Sequence, residues 1–197
     1  MKEADAGGIT NHGEINAKGS IYLIAPEIDN KGKIISTVAS RIGVVLVDGD
    51  QVDVKYDSNG LIGFEIKQES STQTSVIKNS TNAQIKAEQV YLSAQQSGDL
   101  ATSVVNNEGV IEAKSLVDIK ASNIQNSGII AKDVDLENAN HEKIKEIKLT
   151  AKETIKSVES ENYSINAEKI SIETTGLNAS IGGEVGDNSR INQAAFV

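Results

Sequence analysis

The sequence contains no cysteine and no tryptophan, and it has one proline, two phenylalanines and four tyrosines among 197 residues. Without cysteine, neither a disulfide framework nor a thiolate metal site can form. A compact globular core usually fills its irregular gaps with aromatic side chains, whereas a narrow core of stacked aliphatic residues does not need them. The single proline, Pro26, leaves long stretches free to form strands. What is missing therefore favours a regular β structure over an ordinary globule.

An excess of basic charge and long apolar runs are also missing. The chain carries 28 acidic and 19 basic residues, which gives a net charge of −9. Nucleic acids and anionic lipid surfaces bind to basic faces, so neither is expected as a partner. No apolar run is long enough to span a bilayer, and residues 1–8 contain no apolar core of a signal peptide. We therefore expect no membrane span and, for a secreted protein, a segment of a longer chain.

The sequence does contain four copies of the motif Asn-x-Gly-x-Ile. They occupy residues 11–15, 30–34, 107–111 and 126–130, so that the motif recurs twice at a spacing of 19 residues. A fixed repeat of about 20 residues, built from turns and short strands, is typical of a β-solenoid. The motif therefore indicates a chain that winds through equivalent coils.

Each copy of the motif is expected to form a corner between strands. Its glycine supplies a positive φ without a clash at Cβ, and its asparagine tolerates the left-handed region and bonds to the local backbone. In a solenoid, equivalent asparagines are also expected to stack from coil to coil as an amide ladder. The residues concerned are Asn11, Asn30, Asn107 and Asn126, with Gly13, Gly32, Gly109 and Gly128.

Between the turns, aliphatic residues alternate with polar ones in the pattern Ile-x-Ala followed by Ile/Val-x-Leu/Ile. Alternation places the aliphatic residues on one face of each strand. Such strands, each too short to enclose a core alone, bury their apolar faces by stacking in parallel, and crossover chirality favours the right hand. We predict an all-β fold, a right-handed parallel β-helix, as a single segment over residues 1–197. The copies are Ile15-Ala17-Ile21-Leu23-Ala25, Ile85-Ala87-Val90-Leu92-Ala94, Ile111-Ala113-Val117-Ile119-Ala121 and Ile165-Ala167-Ile170-Ile172.

An insertion of about residues 43–78 interrupts the repeat. Within it, Asn59-Gly60 separates two alternating runs, which is the strongest short-range signal for a hairpin. We predict an extra-helical β-hairpin around residues 44–66, which projects from the rod or covers its side. Residues 68–75 are expected to return to the helix as a polar loop.

Residues 137–160 allow two interpretations. Residues 137–147 have a composition that suits an amphipathic helix, but residues 147–151 fit the strand repeat. We favour a regular coil, with a short helical corner as the alternative. Residues 181–188 are expected to form a frayed terminus or the entry to further sequence.

Two acidic segments have a limited likeness to calcium loops. Residues 48–53, with Asp57 beyond them, fail because Val52 stands at the fifth position, where an oxygen ligand is needed. Residues 182–187 approach a calcium-binding nonapeptide, but they occur once, whereas such sites need tandem copies. We therefore predict no metal site.

Catalytic motifs are also lacking. The two histidines, His12 and His141, lie beside predicted turns and do not have the spacing of a zinc site. A polysaccharide lyase or hydrolase needs a carboxylate cluster with Arg or Lys in a groove of long loops, and the only arginines here are Arg41 and Arg190. No nucleophile, phosphate-loop or dinucleotide motif is present. We predict that the chain is not an enzyme and has no catalytic or cofactor-binding residues and no cofactor, and its ligand-binding residues are unknown.

Residues 9–34, with their Asn-x-Gly turns and Ile-x-Ala strand, strongly resemble the filamentous haemagglutinin family of secreted exoproteins. Residues 43–52 resemble the hairpin that follows in that family, and residues 105–113 resemble its recurring return to the helix. The resemblance covers residues 9–130 well and the remainder loosely. It implies a right-handed parallel β-helix, export through an outer-membrane partner pore, and a role in adhesion, biofilm formation or contact-dependent toxin delivery.

One departure from the family concerns its secretion domain. Members open with a domain that carries Asn-Pro-Asn motifs, which this chain lacks, because its only proline, Pro26, follows Ala25. The resemblance therefore implies part of the C-terminal side of such a domain together with the early shaft.

The leading hypothesis is a non-enzymatic structural and adhesive segment of a large bacterial exoprotein that is secreted or located at the cell surface. It would display loops or act as a stalk, for example in virulence or contact-dependent inhibition. The implied partners are an outer-membrane two-partner transporter during export and an unknown receptor or glycan on a host or neighbouring cell. The alternatives are a carbohydrate-binding or polysaccharide-acting β-helix and a cytoplasmic β-helical scaffold that polymerises end to end.

Overall fold

The structure is a computed structural model that describes residues 7–39, 42–49, 51–56, 62–68, 74–94, 102–134, 142–157, 164–176 and 180–182. Fifteen strands form one large sheet, and two further strands form a separate small sheet. The strands are β1 (Ile9–Asn11), β2 (Glu14–Ala17), β3 (Ile21–Ile24), β4 (Glu27–Asn30), β5 (Lys33–Ser36), β6 (Val44–Asp48), β7 (Gln51–Tyr56), β8 (Ile62–Gln68), β9 (Thr74–Asn79), β10 (Gln84–Ala94), β11 (Thr102–Asn107), β12 (Val110–Asn126), β13 (Ile129–Ala131), β14 (Ile144–Ser157), β15 (Ser164–Ile165), β16 (Ala167–Thr174) and β17 (Ser180–Gly182).

The large sheet winds into a solenoid because each strand pairs in parallel with the strand one coil away. The first face contains β1, β4, β9 and β11, and the second contains β2, β5 and the first part of β10. The third face contains β3, β6 and the last part of β10. The longer strands β12 and β14 continue through the corners and pair within more than one face. The predicted fold class, an all-β parallel β-helix with an extra-helical hairpin, is confirmed.

Pairing in register stacks equivalent aliphatic side chains into columns along the solenoid. On the second face, Ile34, Ile85, Ile111 and Ile130 lie in register, and each is at most 1% exposed. One strand alone would leave its apolar stripe in water, so burial, worth about 25 cal/mol per Å², is gained only against the next coil. The aliphatic positions that the alternation predicted to face inward all belong to this core or pack against it.

An asparagine ladder follows the corner between the first and second faces. The Nδ2 of Asn11 donates to the Oδ1 of Asn30 at 2.8 Å, and Asn30 donates to Asn79 at 2.9 Å. Asn79 donates to Asn107 at 2.8 Å, and Asn107 donates to Asn126 at 2.7 Å. All five side chains are at most 9% exposed. The predicted ladder is confirmed, and Asn79 is a member that the sequence motif did not reveal.

The ladder amides also bond to the backbone at their corners. The Nδ2 of Asn30 donates to the carbonyl oxygen of Gln84 at 3.2 Å, and its Oδ1 accepts from the N–H of Gly32 at 3.3 Å. Asn30 therefore uses both of its amide protons and both acceptor positions, so its burial leaves no polar atom unpaired. Bonds from Nδ2 to a backbone carbonyl recur at Asn11, Asn79 and Asn107.

The glycines of the motif have a different purpose from the one expected. None of the four has a φ in the left-handed region, and neither do the asparagines that precede them; the described non-glycine residues in that region are Asn82, at φ 66°, and Asp133, at φ 46°. A Cβ on Gly32 would lie 2.0 Å from the carbonyl oxygen of Gly13, and one on Gly128 would lie 2.1 Å from that of Gly109. The predicted left-handed corners are therefore wrong, and at Gly32, Gly109 and Gly128 glycine is required because the neighbouring backbone approaches too closely for a side chain.

The hairpin consists of the antiparallel strands β7 and β8, in which Val52 lies opposite Ile66 and Val54 opposite Phe64. It packs over the outer side of the third face, where it forms a second apolar cluster with Val45 and its neighbours. Of the two predicted placements, the one in which the hairpin covers the side of the rod is observed.

The predicted range of the hairpin began too early. Residues 44–48 form β6, which pairs in parallel with β3 and β10 as part of a coil. Both sides of β6 are buried, since Leu46 faces the main core and Val47 faces the hairpin cluster. The Asn59-Gly60 turn and residues 69–73 of the predicted polar loop lie outside the described residues.

The structure describes residues 142–157 of the stretch that allowed two interpretations. Strand β14 covers Ile144–Ser157 and pairs with β12 and β16. The favoured interpretation, a coil of the solenoid, is therefore confirmed for this part. Residues 137–141 and 158–160 lie outside the described residues.

Replacing Gly128 by alanine tests the close approach of coils. Because the new Cβ would overlap the backbone of Gly109, we expect Gly128→Ala to lower the free energy of unfolding by about 1–3 kcal/mol. Gly13 is the matched control, since nothing lies within 4 Å of its hypothetical Cβ, and Gly13→Ala should change stability by less than about 0.5 kcal/mol. Urea denaturation followed by circular dichroism measures both, and equal effects would contradict this explanation.

Removing one amide tests the ladder. Asn107→Ala leaves the Nδ2 of Asn79 without one of its two acceptors and the Oδ1 of Asn126 without its donor from Asn107, so we expect a loss of about 2–4 kcal/mol in unfolding free energy. The control is Asn106→Ala, because Asn106 faces outward and bonds only to Glu108 among the described contacts. A loss no larger at position 107 than at position 106 would show that the ladder contributes little.

Candidate functional site

The outer side of the third face changes from apolar to charged along the solenoid. One outward column contains Tyr22, Val45 and Tyr91 in register, and it continues in the next two coils as Asp118 and Lys148. The hairpin packs over the apolar part of this column. The charged part begins beside the hairpin, so a boundary between two kinds of surface lies across the third face.

A cleft of about 300 Å³ lies at this boundary, a volume at the lower end of the range of small-molecule sites. Its walls come from three parts of the chain that are distant in sequence. Strand β8 of the hairpin contributes apolar side chains, β10 contributes an aromatic and a hydroxyl group, and β12 contributes both charged groups. The lining includes Phe64, Ile66, Tyr91, Ser93, Asp118 and Lys120.

The aromatic wall of the cleft is held in a fixed arrangement. The rings of Phe64 and Tyr91 meet edge to face, with centroids 5.4 Å apart and an interplanar angle of 81°, a favourable geometry for an aromatic pair. The hydroxyl of Tyr91 donates to the Oε1 of Gln89 at 3.3 Å. Burial raises the pKa of Tyr91, and the nearby charge of Asp118 raises it further, so the phenol stays neutral.

Two polar groups in the cleft have unused hydrogen-bonding capacity among the described residues. Ser93 is 4% exposed, and its Oγ has no hydrogen-bond partner among the described residues. The Oδ1 of Asp118 is likewise buried and without a partner in the part of the chain that the structure describes. Its Oδ2 lies 4.0 Å from the Nζ of Lys120, at the limit of an ion pair. A ligand that bonds to these atoms would use hydrogen-bonding capacity that no described residue occupies.

The ionisation of Asp118 is set by opposing influences. Burial raises the pKa of its carboxyl group, whereas the positive charges of Lys120 and Lys148 lower it and the negative charge of Glu146 raises it. Burial is the largest of these influences, so the pKa of Asp118 lies above its ordinary value. The ionised carboxylate is therefore held in an unfavourable position in the free protein.

The described lining of the cleft suits binding better than bond cleavage. It offers one carboxylate, one ammonium, one buried hydroxyl and an aromatic wall. Hydrolysis of glycosides ordinarily uses two carboxyl groups on either side of the bond, and the described lining has only Asp118. The arrangement can recognise a ligand that presents several hydrogen-bonding groups around an apolar face.

Those residues singled out from the sequence that the structure describes do not meet in a site. Asp48 is buried at the end of β6, in register with Ala94, while Asp53 lies in the hairpin opposite Glu65. His12 is exposed in its turn. Within the described ranges, no three His, Cys, Asp or Glu residues come together as metal ligands, and no helix there could cross a bilayer.

Several of the positions considered as metal-binding or catalytic candidates lie outside the described residues. They are Arg41, Asp50, Asp57, His141, residues 183–187 and Arg190. The cleft residues, in contrast, were not recognised from the sequence as a set. The available signal was that Tyr91 and Phe64, two of the few aromatic residues, stand at outward positions of alternating strands.

Replacing Asp118 by asparagine tests the cost of its burial. A raised pKa in the folded state means that the folded protein binds the proton more tightly than the unfolded chain does, so ionisation above that pKa lowers stability. We therefore expect Asp118→Asn to be more stable than the parent protein at pH 7. The difference should shrink as the pH falls through the raised pKa of Asp118 toward 3.8, the ordinary value, below which both states are protonated.

The matched control for this prediction is Glu146→Gln. The Nζ of Lys169 lies 3.0 Å from the Oε1 of Glu146 and lowers the pKa of the Glu146 carboxyl group. The ionised form of Glu146 therefore stabilises the fold at pH values above its ordinary pKa, and this stabilisation is lost as the pH falls through the lowered pKa. Glu146→Gln should therefore be slightly less stable than the parent at pH 7. Urea titrations at several pH values measure both variants, and the same sign of change in both would contradict the assignment.

Comparisons with known proteins add no family to this description. No protein-family model matches the chain, and neither the curated proteins nor the solved structures contain a match. The resemblance to filamentous haemagglutinin exoproteins therefore rests on the sequence motifs quoted above.

Proposed function

We propose that the chain is a non-enzymatic, β-helical segment of a large bacterial exoprotein of the filamentous haemagglutinin type, secreted or held at the cell surface. Its role is to form a shaft that displays lateral elements for adhesion. The observation that carries this proposal is the continuous stack of coils in register, with a hairpin attached to its side rather than inserted into it.

A solenoid of this kind suits a shaft because its stability comes from contacts between neighbouring coils. The interior columns and the asparagine ladder use the same contacts in each coil from Asn11 to Asn126. A further coil that continues the register would be stabilised by the same contacts. A chain that emerges from a membrane pore could therefore fold progressively, one coil upon the next, without another source of energy.

The hairpin suits the role of a displayed element. Its inner side is fixed to the third face by Val52, Phe64 and Ile66. On the hairpin, Glu65 pairs with Lys55 and Lys67, and these pairs lower the pKa of Glu65 to about 2. A charged outer side over an apolar inner side keeps a lateral element soluble while it remains attached to the shaft.

The partners follow from the resemblance and belong to the same proposal. They are an outer-membrane two-partner transporter during export and a receptor or glycan on a host or neighbouring cell. The net charge of −9 supports a partner other than nucleic acid or an anionic membrane. The hairpin weighs against the alternative of a cytoplasmic polymer, because a smooth filament has no evident use for it.

Surface labelling of the source bacterium tests this function. An epitope inserted at residues 57–60, between β7 and β8, is expected to be detected by antibody on intact cells, because the hairpin lies on the outside of the shaft. The same epitope on a cytoplasmic protein serves as the control and should be detected only after permeabilisation. Detection of the inserted epitope only in permeabilised cells would contradict the proposal and favour an intracellular scaffold.

A further inference from the structure

The cleft beside the hairpin has the features of a built binding site. Its polar atoms lie on two adjacent coils in register, since Tyr91 pairs with Asp118 and Ser93 pairs with Lys120. Its remaining wall is the hairpin, fixed by the edge-to-face contact between Phe64 and Tyr91. The site is therefore held on one side by the pairing of β10 with β12 and on the other by the aromatic pair of Phe64 and Tyr91. Neither contact involves a residue outside the described ranges.

We propose that this cleft binds a saccharide, with a neutral pyranose ring placed against Tyr91 and its hydroxyl groups bonded to Asp118 and Ser93. The apolar side of a pyranose packs on aromatic and aliphatic carbon, as supplied by Tyr91 and Ile66. Neighbouring hydroxyls of the sugar can donate to the Oδ1 of Asp118 and bond to the Oγ of Ser93, the two buried atoms without a partner among the described residues. The ammonium of Lys120 can donate to a third hydroxyl.

The charges of the cleft argue against other classes of ligand. A cation would meet Lys120 and Lys148, the positive charges that already act on the carboxyl group of Asp118. An anion would meet that carboxyl group itself. A purely apolar ligand would leave the buried atoms of Ser93 and Asp118 unpaired, which costs binding energy. A neutral ligand with several hydroxyl groups satisfies all of these atoms at once.

The position of Asp118 in the free protein agrees with a binding role. Burial raises the pKa of this carboxyl group, so the fold holds an ionised acid where it is poorly solvated. Hydrogen bonds from sugar hydroxyls would replace the missing solvation. A residue that lowers the stability of the free protein and supports binding is common at functional sites.

This inference deepens the proposed function by giving its glycan partner a site, and it rests on that function only for the source of the sugar. A shaft without a saccharide site keeps its structural role, and a saccharide site would be meaningful in a protein of any location. The experiment below measures binding to the isolated chain, so its failure would leave the surface-labelling result unaffected.

Nuclear magnetic resonance of the ¹⁵N-labelled full chain tests the site. The probes are the methyl glycosides of glucose, galactose, mannose and N-acetylglucosamine. We expect at least one of them to shift the backbone amides of Tyr91, Ser93, Asp118 and Lys120 with a dissociation constant in the millimolar range, as is usual for one sugar ring in an open cleft. Amides of the asparagine ladder, at the corner between the first two faces, should not shift.

Two variants and one control make the test specific. Ser93→Ala removes a hydrogen bond to the sugar, and Asp118→Asn replaces a charged acceptor with a neutral one that forms weaker hydrogen bonds, so each should weaken binding by about tenfold. Glu146→Gln changes a neighbouring carboxylate that does not line the cleft, and it should bind as the parent does. Unchanged ladder amides in the spectra of the variants show that each one is folded.

Two results would overturn the proposal. One is the absence of any shift at the cleft amides with all four probes at about 50 mM, far above the expected dissociation constants. The other is a shift that persists unchanged in both Ser93→Ala and Asp118→Asn, since the sugar would then bind without the two groups assigned to it.

Discussion

Every inward-facing side chain of this protein must fit against its equivalent one coil away, because successive coils pair in parallel with a fixed register. This constraint places isoleucine over isoleucine in the core and asparagine over asparagine at the corner. It also makes glycine necessary where the backbones of two turns meet, as at Gly128 over Gly109. Aliphatic residues in the core, asparagines at the corner and glycines at the close turns thus all allow equivalent positions of successive coils to stack without a gap or a clash.

Much of the fold could be predicted from the sequence because the requirement that equivalent residues stack recurs in each coil. The motif at Asn11 recurs at Asn30 after 19 residues, but the next ladder members follow after 49 and 28 residues. Asn79 was missed because the hairpin lengthens its coil and because its turn uses the positive φ of Asn82 in place of a glycine. The start of the hairpin was misplaced because β6 is apolar on both sides, a pattern that does not distinguish a buried coil strand from a hairpin strand.

The cleft could not be predicted, because alternation marks which residues point outward but not which coils become neighbours. Tyr91 and Asp118 are brought together by the register between β10 and β12, and Phe64 reaches them only because the hairpin folds back over the third face. The outer surface is free of the stacking requirement, so its side chains can vary from coil to coil. In this fold the interior supplies a rigid support and the exterior carries whatever specificity the protein has.

Hydrogen exchange of the asparagine side-chain amides tests the central claim most directly, because it reports on the ladder itself. If the coils stack in register, the Nδ2 protons of Asn30, Asn79 and Asn107 are buried and bonded, and they should exchange orders of magnitude more slowly than those of the outward-facing Asn106 and Asn123. Uniformly fast exchange at all five residues would contradict the account, since it would mean that the asparagines do not form a buried, coil-to-coil ladder.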